Sequence, residues 1–212
     1  WASPADAFAA SLLFRPGGAP GDAALRSFVA ALALHDALAA LTGRPERFAL
    51  KWPNDVLLDD RKLAGILLET HAPPGGPLAL VVGFGVNLVA SPPPAALEPG
   101  SVPPVALAEA LGAAPAPEDL LDALAPAFAA REAIFIREGF APLRAAWLER
   151  AARRGAAMMA RLPGRIVEGR FETIDAAGAL VLATATGRVA LPAAEVHFAD
   201  EAMPEVAHAA RD

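Results

Sequence analysis

Short apolar runs and one long stretch of helical periodicity open the chain. The run Phe8–Phe14 is closed by Arg15, Pro16 and two glycines, which predicts a buried strand followed by a loop. Apolar residues then recur at helical spacing from Leu25 to Leu38. Asp22 is placed to cap this helix, and Gly43 is placed to end it. The pattern therefore predicts a strand, a loop and a long core helix.

Four further apolar segments follow and predict strands. They are Phe48–Trp52, Val56–Leu58, Leu63–Thr70 and Leu78–Leu88. Pro53 lacks a backbone donor and Asn54 and Asp55 favour turns or bulges, so the first of these strands should break there. A turn at 59–61 then brings Lys62 back along the neighbouring strand. We therefore expect a hairpin in which Asp55 and Lys62 approach each other.

The next part of the chain is helical, after a proline-rich surface connection at 91–104. The predicted helices are Val105–Leu111, Glu118 to about Arg137 with a kink at Pro126, and Phe140–Ala152. From about residue 157 the period of apolar positions changes from helical to alternating. The alternating segments, Ala157–Leu162, Arg165–Ile174, Ala179–Ala183, Arg188–Leu191 and Glu195–Phe198, predict a small barrel. We expect one domain at 1–153, a barrel at 154–200 and a tail at 201–212.

Composition narrows the possible partners. The net charge is −6 and the sequence pI is near 5.2, so a broadly basic nucleic-acid surface is missing. The most apolar stretch, Phe28–Leu41, contains His35 and Asp36 near its centre, and we expect no membrane span. The chain has no cysteine, which fits a cytoplasmic protein. It begins at Trp1 rather than at methionine, and we expect further sequence upstream.

The polar residues of the hairpin have two interpretations on spacing alone. Asp55 and Lys62 can be charges on a surface hairpin, worth about 0 to 1 kcal/mol, or parts of a site held on rigid strands. Spacing favours the first interpretation. His35 on a helix face and His197 on a barrel strand have residue types suited to acid–base chemistry, but structural or solvated roles are commoner for such positions.

Five sequence segments together resemble the biotin protein ligase family. They are WASP at 1–4, KWPND at 51–55, RKLAGILLE at 61–69, GFGVN at 83–87 and GRFETIDAAGALVL at 169–182. Their order and approximate spacing are those of the family, and they span nearly the whole chain. GFGVN alone would be weak evidence for the family. The central motif is long enough that chance does not explain its occurrence.

The resemblance implies an α+β fold in which a mixed β-sheet flanked by helices, like that of class II synthetases, precedes an SH3-like barrel. It also implies a reaction. Family members join biotin to ATP, giving biotinyl-5′-AMP and pyrophosphate, and then transfer the biotinyl group to a lysine of a carboxylase's biotin carboxyl carrier domain. ATP and Mg²⁺ are the implied cofactors. A homodimer is a further expectation, because pairing of sheet edges is common for this fold.

The same resemblance assigns roles to individual residues. Lys62 matches the essential lysine. Asp55 matches an aspartate with several open roles: binding the acceptor lysine, deprotonating it, or orienting Lys62 or Mg²⁺. The residues matching biotin- or ATP-binding positions are Trp1, Asn54, Gly65, Leu67, Gly83, Gly85 and Asn87. Asn54 has an equally good interpretation as the residue that holds the turn, and Asn87 as one that terminates a strand. Phe84 should face away from the site into the core.

Two alternatives to a biotin ligase remain at this point. A lipoate or octanoate ligase shares the core architecture, although KWPND together with RKLAG argues against it. A ligase-like protein that binds biotin or the acceptor without turnover is the other alternative. The family's arginine-rich ligand loop is expected immediately upstream of Trp1, so its sequence would discriminate between catalysis and binding.

Overall fold

The computed structural model describes residues 7–17, 21–72, 74–93 and 101–198. The predicted site residue Trp1 and the predicted tail at 201–212 lie outside these ranges.

The first sheet contains five described strands in the order β1-β5-β4-β3-β2, all paired antiparallel. Their bounds are Phe8–Phe14 for β1, Phe48–Lys51 for β2, Asp55–Leu58 for β3, Arg61–His71 for β4 and Ala79–Val86 for β5. Parallel pairing occurs at two isolated bridges within the described ranges, Leu50 with Ala151 and Lys62 with Pro104. The predicted break after Lys51 is present, since Trp52–Asn54 form a turn between β2 and β3.

One face of this sheet is covered by helices. Helix α1 (Asp22–Thr42) packs on β2, β3, β4 and β5, and α3 (Pro117–Glu138) packs on α1. The short α2 (Leu107–Leu111) and α4 (Phe140–Glu149) complete the helices that the structure describes, with a 3₁₀ turn at Pro45–Arg47. Helix α1 is long and apolar enough to cross a membrane by length and composition. Its apolar surface is instead used in the core, where Val29, Leu32 and Leu34 are fully buried.

The second sheet also has five described strands, in the order β10-β6-β7-β8-β9. Their bounds are Ala157–Leu162 for β6, Arg165–Ile174 for β7, Leu180–Thr184 for β8, Gly187–Leu191 for β9 and Glu195–Phe198 for β10. This unit docks against the helices: the Trp147 ring lies 5.6 Å from the Phe28 ring and 6.4 Å from the Phe171 ring, centre to centre. Hydrophobic packing therefore joins the barrel to the first sheet's helical layer. The α+β class is confirmed.

Two local predictions need correction. β1 is not a buried strand: it lies at the edge of the described sheet, with Leu12 37% and Leu13 67% exposed. Asp22 does not cap α1, since Gly21 occupies the N-cap and Asp22 lies in the first turn, where a carboxylate favours the helix dipole. The long helix predicted across Pro126 is confirmed, since α3 continues through this exposed residue. The kink at Pro126 stays a prediction.

Candidate active site

The open face of the first sheet carries the small residues predicted to line a ligand. Strand pairing places Asp55 beside Gly65 and Gly65 beside Gly85, and it places Leu67 beside Gly83 in the next row. Side chains alternate along a strand, so these positions face away from α1. Phe84, between the two glycines, points to the covered face and packs edge-on to Phe128 with ring centres 6.4 Å apart, as predicted. The glycines leave the open face without side chains where a ligand could lie flat.

A β-bulge brings Lys62 onto this same face. Val56 pairs with Ala64 but the next residue, Leu57, pairs with Lys62, so Leu63 is an extra residue in β4. In a regular strand Lys62 and Gly65, three positions apart, would point to opposite faces. The extra residue reverses that relation, because the side-chain alternation is shifted by one. Sequence reasoning did not predict this bulge.

Lys62 and Asp55 form an ion pair across the hairpin, as the sequence predicted. The distance from Lys62 Nζ to Asp55 Oδ1 is 2.8 Å. The lysine side chain is 42% exposed and the aspartate side chain 12% exposed, so the carboxylate sits at the base and the ammonium reaches toward the opening. A half-exposed ammonium held by a buried carboxylate remains accessible to an anionic ligand.

The main chain of Lys62 is also held. Its N–H donates to the carbonyl of Pro103 over 2.8 Å, and its carbonyl accepts from the N–H of Val105 over 3.0 Å. Asn87 Nδ2 donates to the carbonyl of Val105 over 3.1 Å and lies 3.5 Å from the carbonyl of Lys62. The amide of Asn87 therefore supports the strand end that carries Lys62. Its predicted contact with biotin or ATP stays a prediction.

The turn before Asp55 is held at three successive residues. The indole N–H of Trp52 donates to the carbonyl of Gly178 over 3.0 Å, and Ser27 Oγ donates to the carbonyl of Pro53 over 3.1 Å. Asn54 Nδ2 donates to the carbonyl of Ile66 over 2.6 Å. Of the two interpretations of Asn54, this bond supports the one in which it holds the turn.

These elements enclose a cleft of about 450 Å³ between the sheet and the barrel. Five residues predicted from the sequence to belong to the site line this cleft: Asn54, Asp55, Lys62, Gly65 and Leu67. A second depression of about 300 Å³ continues along the open face over Gly83 and Gly85, and Leu67 borders both. The structure thus brings together all the predicted site residues within the described ranges except Asn87, which lies behind Lys62. A bicyclic ligand with a chain and a nucleotide needs such an elongated site.

Several cleft residues were not predicted to bind ligand. They are Lys51, Trp52, Pro53, Ile66, Ser101, Val102 and Ala194–His197. The last four come from the barrel, where His197 is 5% exposed and its Nε2 lies 3.4 Å from Glu195 Oε1. No sequence periodicity signals a contact between segments so far apart. The rarity of lysine in this sequence is the one feature that could have pointed to Lys51. The chain contains two lysines, Lys51 and Lys62, and both line this cleft.

His35 is a buried residue of α1, in agreement with the structural role that its helix position favoured over acid–base chemistry. It is 5% exposed on α1, with Nδ1 3.7 Å from Asp36 Oδ1. Asp36 also accepts a hydrogen bond from Arg131 Nε over 2.7 Å, which ties α1 to α3. Burial raises the pKa of Asp36, but His35 and Arg131 outweigh burial and hold that pKa below its ordinary value.

Comparison with known proteins identifies the family of the chain. The model of the "Biotin/lipoate A/B protein ligase family" matches residues 1–149, and that of the "Biotin protein ligase C terminal domain" matches residues 159–198. The biotin–[acetyl-CoA-carboxylase] ligase of Paracoccus denitrificans is 51% identical over 198 residues, which cover 93% of this chain and 82% of that protein. The bifunctional ligase/repressor BirA of Bacillus subtilis is 27% identical over 149 residues, covering 70% of this chain and 46% of that protein.

A solved structure shows the same fold. The biotin protein ligase from Aquifex aeolicus in complex with biotin and ATP superposes with a TM-score of 0.80 at 21% identity, covering 93% of this chain and 81% of that one. The sequence matches, the shared fold and the conjunction of Lys62 and Asp55 with the glycine-lined face agree, and the chain belongs to the biotin protein ligase family.

Proposed function

We propose that the chain joins biotin to ATP as biotinyl-5′-AMP and then transfers the biotinyl group to a lysine of a carboxylase's biotin carboxyl carrier domain. The observation that carries this proposal is the Lys62–Asp55 pair, 2.8 Å apart, at the junction of an open glycine-lined face and the cleft beneath the barrel. The pair lies where an acid held on the glycines would meet a nucleotide in the cleft.

The first step is an attack on ATP by the carboxylate of biotin. A carboxylate oxygen bonds to the α-phosphorus, the bond from that phosphorus to the bridging oxygen breaks, and pyrophosphate leaves. Negative charge gathers on the phosphate oxygens during this step, and the ammonium of Lys62 offsets it. Opposite charges 4 Å apart interact by about 4 kcal/mol at an effective dielectric constant of 20. Half of that value would accelerate the step about 30-fold.

Asp55 orients the ammonium of Lys62 for this step. Its carboxylate is largely buried and fixed by the hairpin, so it restricts the lysine side chain, which would otherwise sample many rotamers. In the transfer step the acceptor amine, once deprotonated, attacks the carbonyl carbon of the anhydride, and AMP leaves. The carboxylate of Asp55 borders the same cleft and is placed to accept that proton.

Gly65, Leu67, Gly83 and Gly85 form the biotin subsite in this proposal. The three glycines let the bicyclic ring approach the strands, and Leu67, 47% exposed, provides an apolar wall between the two depressions. The nucleotide occupies the larger cleft, where Lys51 and the barrel residues Glu195–His197 lie.

Magnesium is the further cofactor that this chemistry favours. Among the described residues no group of three or more His, Asp or Glu side chains could hold a metal ion by itself. Mg²⁺ usually keeps several waters and takes one or two carboxylates plus substrate phosphates, and Asp55 in the cleft fits that requirement. When bound, the ion would neutralise charge on the phosphates of ATP. A cytoplasmic location and a homodimer remain predictions.

The acid that forms the adenylate tests the proposal against a lipoate or octanoate ligase. The purified full-length protein is incubated with ATP, Mg²⁺ and one of biotin, lipoate or octanoate, and the acyl-adenylates are identified by mass spectrometry. We expect biotinyl-5′-AMP alone. Formation of a lipoyl- or octanoyl-adenylate would show that the protein is a lipoate or octanoate ligase instead. Biotin binding by calorimetry with no adenylate formed would support the non-catalytic alternative.

A further inference from the structure

The turn that precedes Asp55 is attached to the barrel through Trp52. The Trp52 side chain is 4% exposed, and its indole N–H donates to the carbonyl of Gly178, a residue 126 positions away in the β7–β8 turn. Trp52 is three residues before Asp55 and belongs to the Trp52–Asn54 turn. A buried hydrogen bond thus connects the barrel to the segment that orients the catalytic lysine.

The Gly178 carbonyl is fixed by its surroundings. Gly178 has φ +85°, and a side-chain carbon there would lie 2.8 Å from Leu25 Cδ2 and 3.0 Å from Phe28 Cε2 of α1. The turn itself is shaped by Asp175, whose Oδ1 accepts the N–H groups of Ala177 and Ala179 over 2.8 and 2.9 Å. The acceptor for Trp52 is therefore presented by a tightly seated turn with no room for a side chain at its contact point.

The other two attachments of the Trp52–Asn54 turn do not involve the barrel. Ser27 of α1 holds Pro53, and Ile66 of β4 exchanges hydrogen bonds with Asn54 in both directions. Three elements thus hold three consecutive residues before Asp55. Releasing one of them would leave the turn in place but allow it to shift by a fraction of an ångström, which is enough to misalign a catalytic pair.

We infer that Trp52 is a positioning residue through which the β7–β8 turn of the barrel sets the position of Asp55, and with it Lys62, for the ligase reaction. This inference rests on the proposed function. In this inference the barrel has two roles. It forms one wall of the cleft, and through the Trp52–Gly178 hydrogen bond it influences the rate of the ligase reaction.

Trp52→Phe tests the inference because it removes the donor and keeps an aromatic ring. Trp147→Phe is the matched control: Trp147 is equally buried at the junction of helices and barrel, but its Nε1 has no hydrogen-bond partner among the described residues. We expect Trp52→Phe to lower kcat for biotinyl-AMP formation about tenfold with the KM for biotin within twofold of wild type. Trp147→Phe should change kcat by less than twofold. Asp175→Ala loosens the acceptor turn from the barrel side and should reproduce the Trp52→Phe signature.

A double-mutant cycle with Asp55→Asn, measured by single-turnover formation of biotinyl-AMP, separates positioning from a general loss of stability. If Trp52 acts through Asp55, adding Trp52→Phe to Asp55→Asn should slow the reaction by less than twofold more. A tenfold further loss in that background would overturn the inference, as would a kcat for Trp52→Phe equal to that of Trp147→Phe. If Trp52→Phe does not fold, the same cycle with Asp175→Ala decides. A wild-type protein that forms no adenylate would instead refute the proposed function.

Discussion

The two faces of the first sheet differ in composition although the same strands supply both. The covered face, with Ile66, Val82 and Phe84, is almost fully buried beneath α1. The open face carries glycines, Leu67 and the Asp55–Lys62 pair. Strand alternation sends every second residue to one face or the other, so one sequence can specify core and site together. The comparison predicts that substitutions on the covered side reduce stability and those on the open side reduce catalysis.

Two ion pairs show the same contrast between residues that stabilise the fold and residues that form the site. Arg26 and Glu132 join α1 to α3, 2.9 Å apart, with side chains 1% and 13% exposed. Arg26 also donates to the carbonyls of Asp22 and Gly17 and lies over the Phe135 ring. Lys62 and Asp55 are as close, but the lysine is 42% exposed and borders a cleft. A charge enclosed by its partners stabilises a joint between helices, whereas a charge left half open can bind substrate.

Breaking the enclosed pair should have the largest effect on stability. Glu132→Ala leaves the buried guanidinium of Arg26 uncompensated, and we expect a loss of about 3 to 5 kcal/mol in the free energy of unfolding. Glu132→Gln, which keeps a hydrogen-bond acceptor, should lose less. Urea denaturation measures both losses. If Glu132→Ala unfolds at the wild-type midpoint, the buried pair does not stabilise the helix joint as described.

Adding one methyl group to the open face should affect binding while leaving the fold intact. In Gly83→Ala the new carbon would lie 3.7 Å from the Leu67 carbonyl and 4.0 Å from Ser11 Oγ, which are ordinary contacts. We expect the KM for biotin to rise about tenfold, because the methyl group occupies space over the ring subsite, with a change in unfolding free energy below about 1 kcal/mol. Gly17→Ala, where nothing lies within 4 Å, is the control. An unchanged KM would place biotin elsewhere.

The smallest effect concerns acid stability on the covered side. The pKa of Asp36 is lowered in the folded state, so the folded protein binds a proton there less readily than the unfolded chain. Asp36 therefore contributes stability above the ordinary aspartate pKa of about 3.9, and this contribution is lost as pH falls through the lowered value.

Asp36→Asn should cost about 0.5 to 1 kcal/mol near pH 7, because the Asp36 side chain is 30% exposed and solvent screens the ion pair. It should also flatten the decline in unfolding free energy below about pH 4. Asp122→Asn, at an exposed position of α3, is the matched control. Urea unfolding midpoints measured from pH 7 to pH 2 compare the two variants with the wild type. Parallel wild-type and Asp36→Asn curves would contradict the assigned role of the Asp36–Arg131 contact.

Sequence patterns predicted the parts of the molecule that depend on neighbours in the chain. The Asp55–Lys62 approach followed from a strand break and a turn, and Phe84 and Gly83 were assigned to opposite faces by alternation alone. The bulge at Leu63 was not predicted, because an extra buried leucine leaves the apolar pattern of β4 intact. The Trp52–Gly178 bond was not predicted either, since nothing local to either residue encodes a contact across 126 positions.

Edge position explains the error at β1. Phe8–Phe14 is as apolar as a buried strand, and its sequence does not show that the described sheet ends there. Burial depends on which elements cover a strand, and that is a property of the whole fold. The exposed Leu12 and Leu13 therefore mark the place where local hydrophobicity and tertiary position disagree.

The central claim is that Lys62, on the open face, stabilises the adenylation transition state. Biotin-dependent exchange of labelled pyrophosphate into ATP by Lys62→Ala, compared with the full-length wild type at equal concentration of folded protein, tests it most directly. Arg61→Gln, which alters an adjacent exposed cation, is the control. We predict wild-type exchange for Arg61→Gln, with an unfolding free energy within about 0.5 kcal/mol of wild type, and a loss of at least about 30-fold for Lys62→Ala. Exchange by Lys62→Ala at the wild-type rate would contradict the claim.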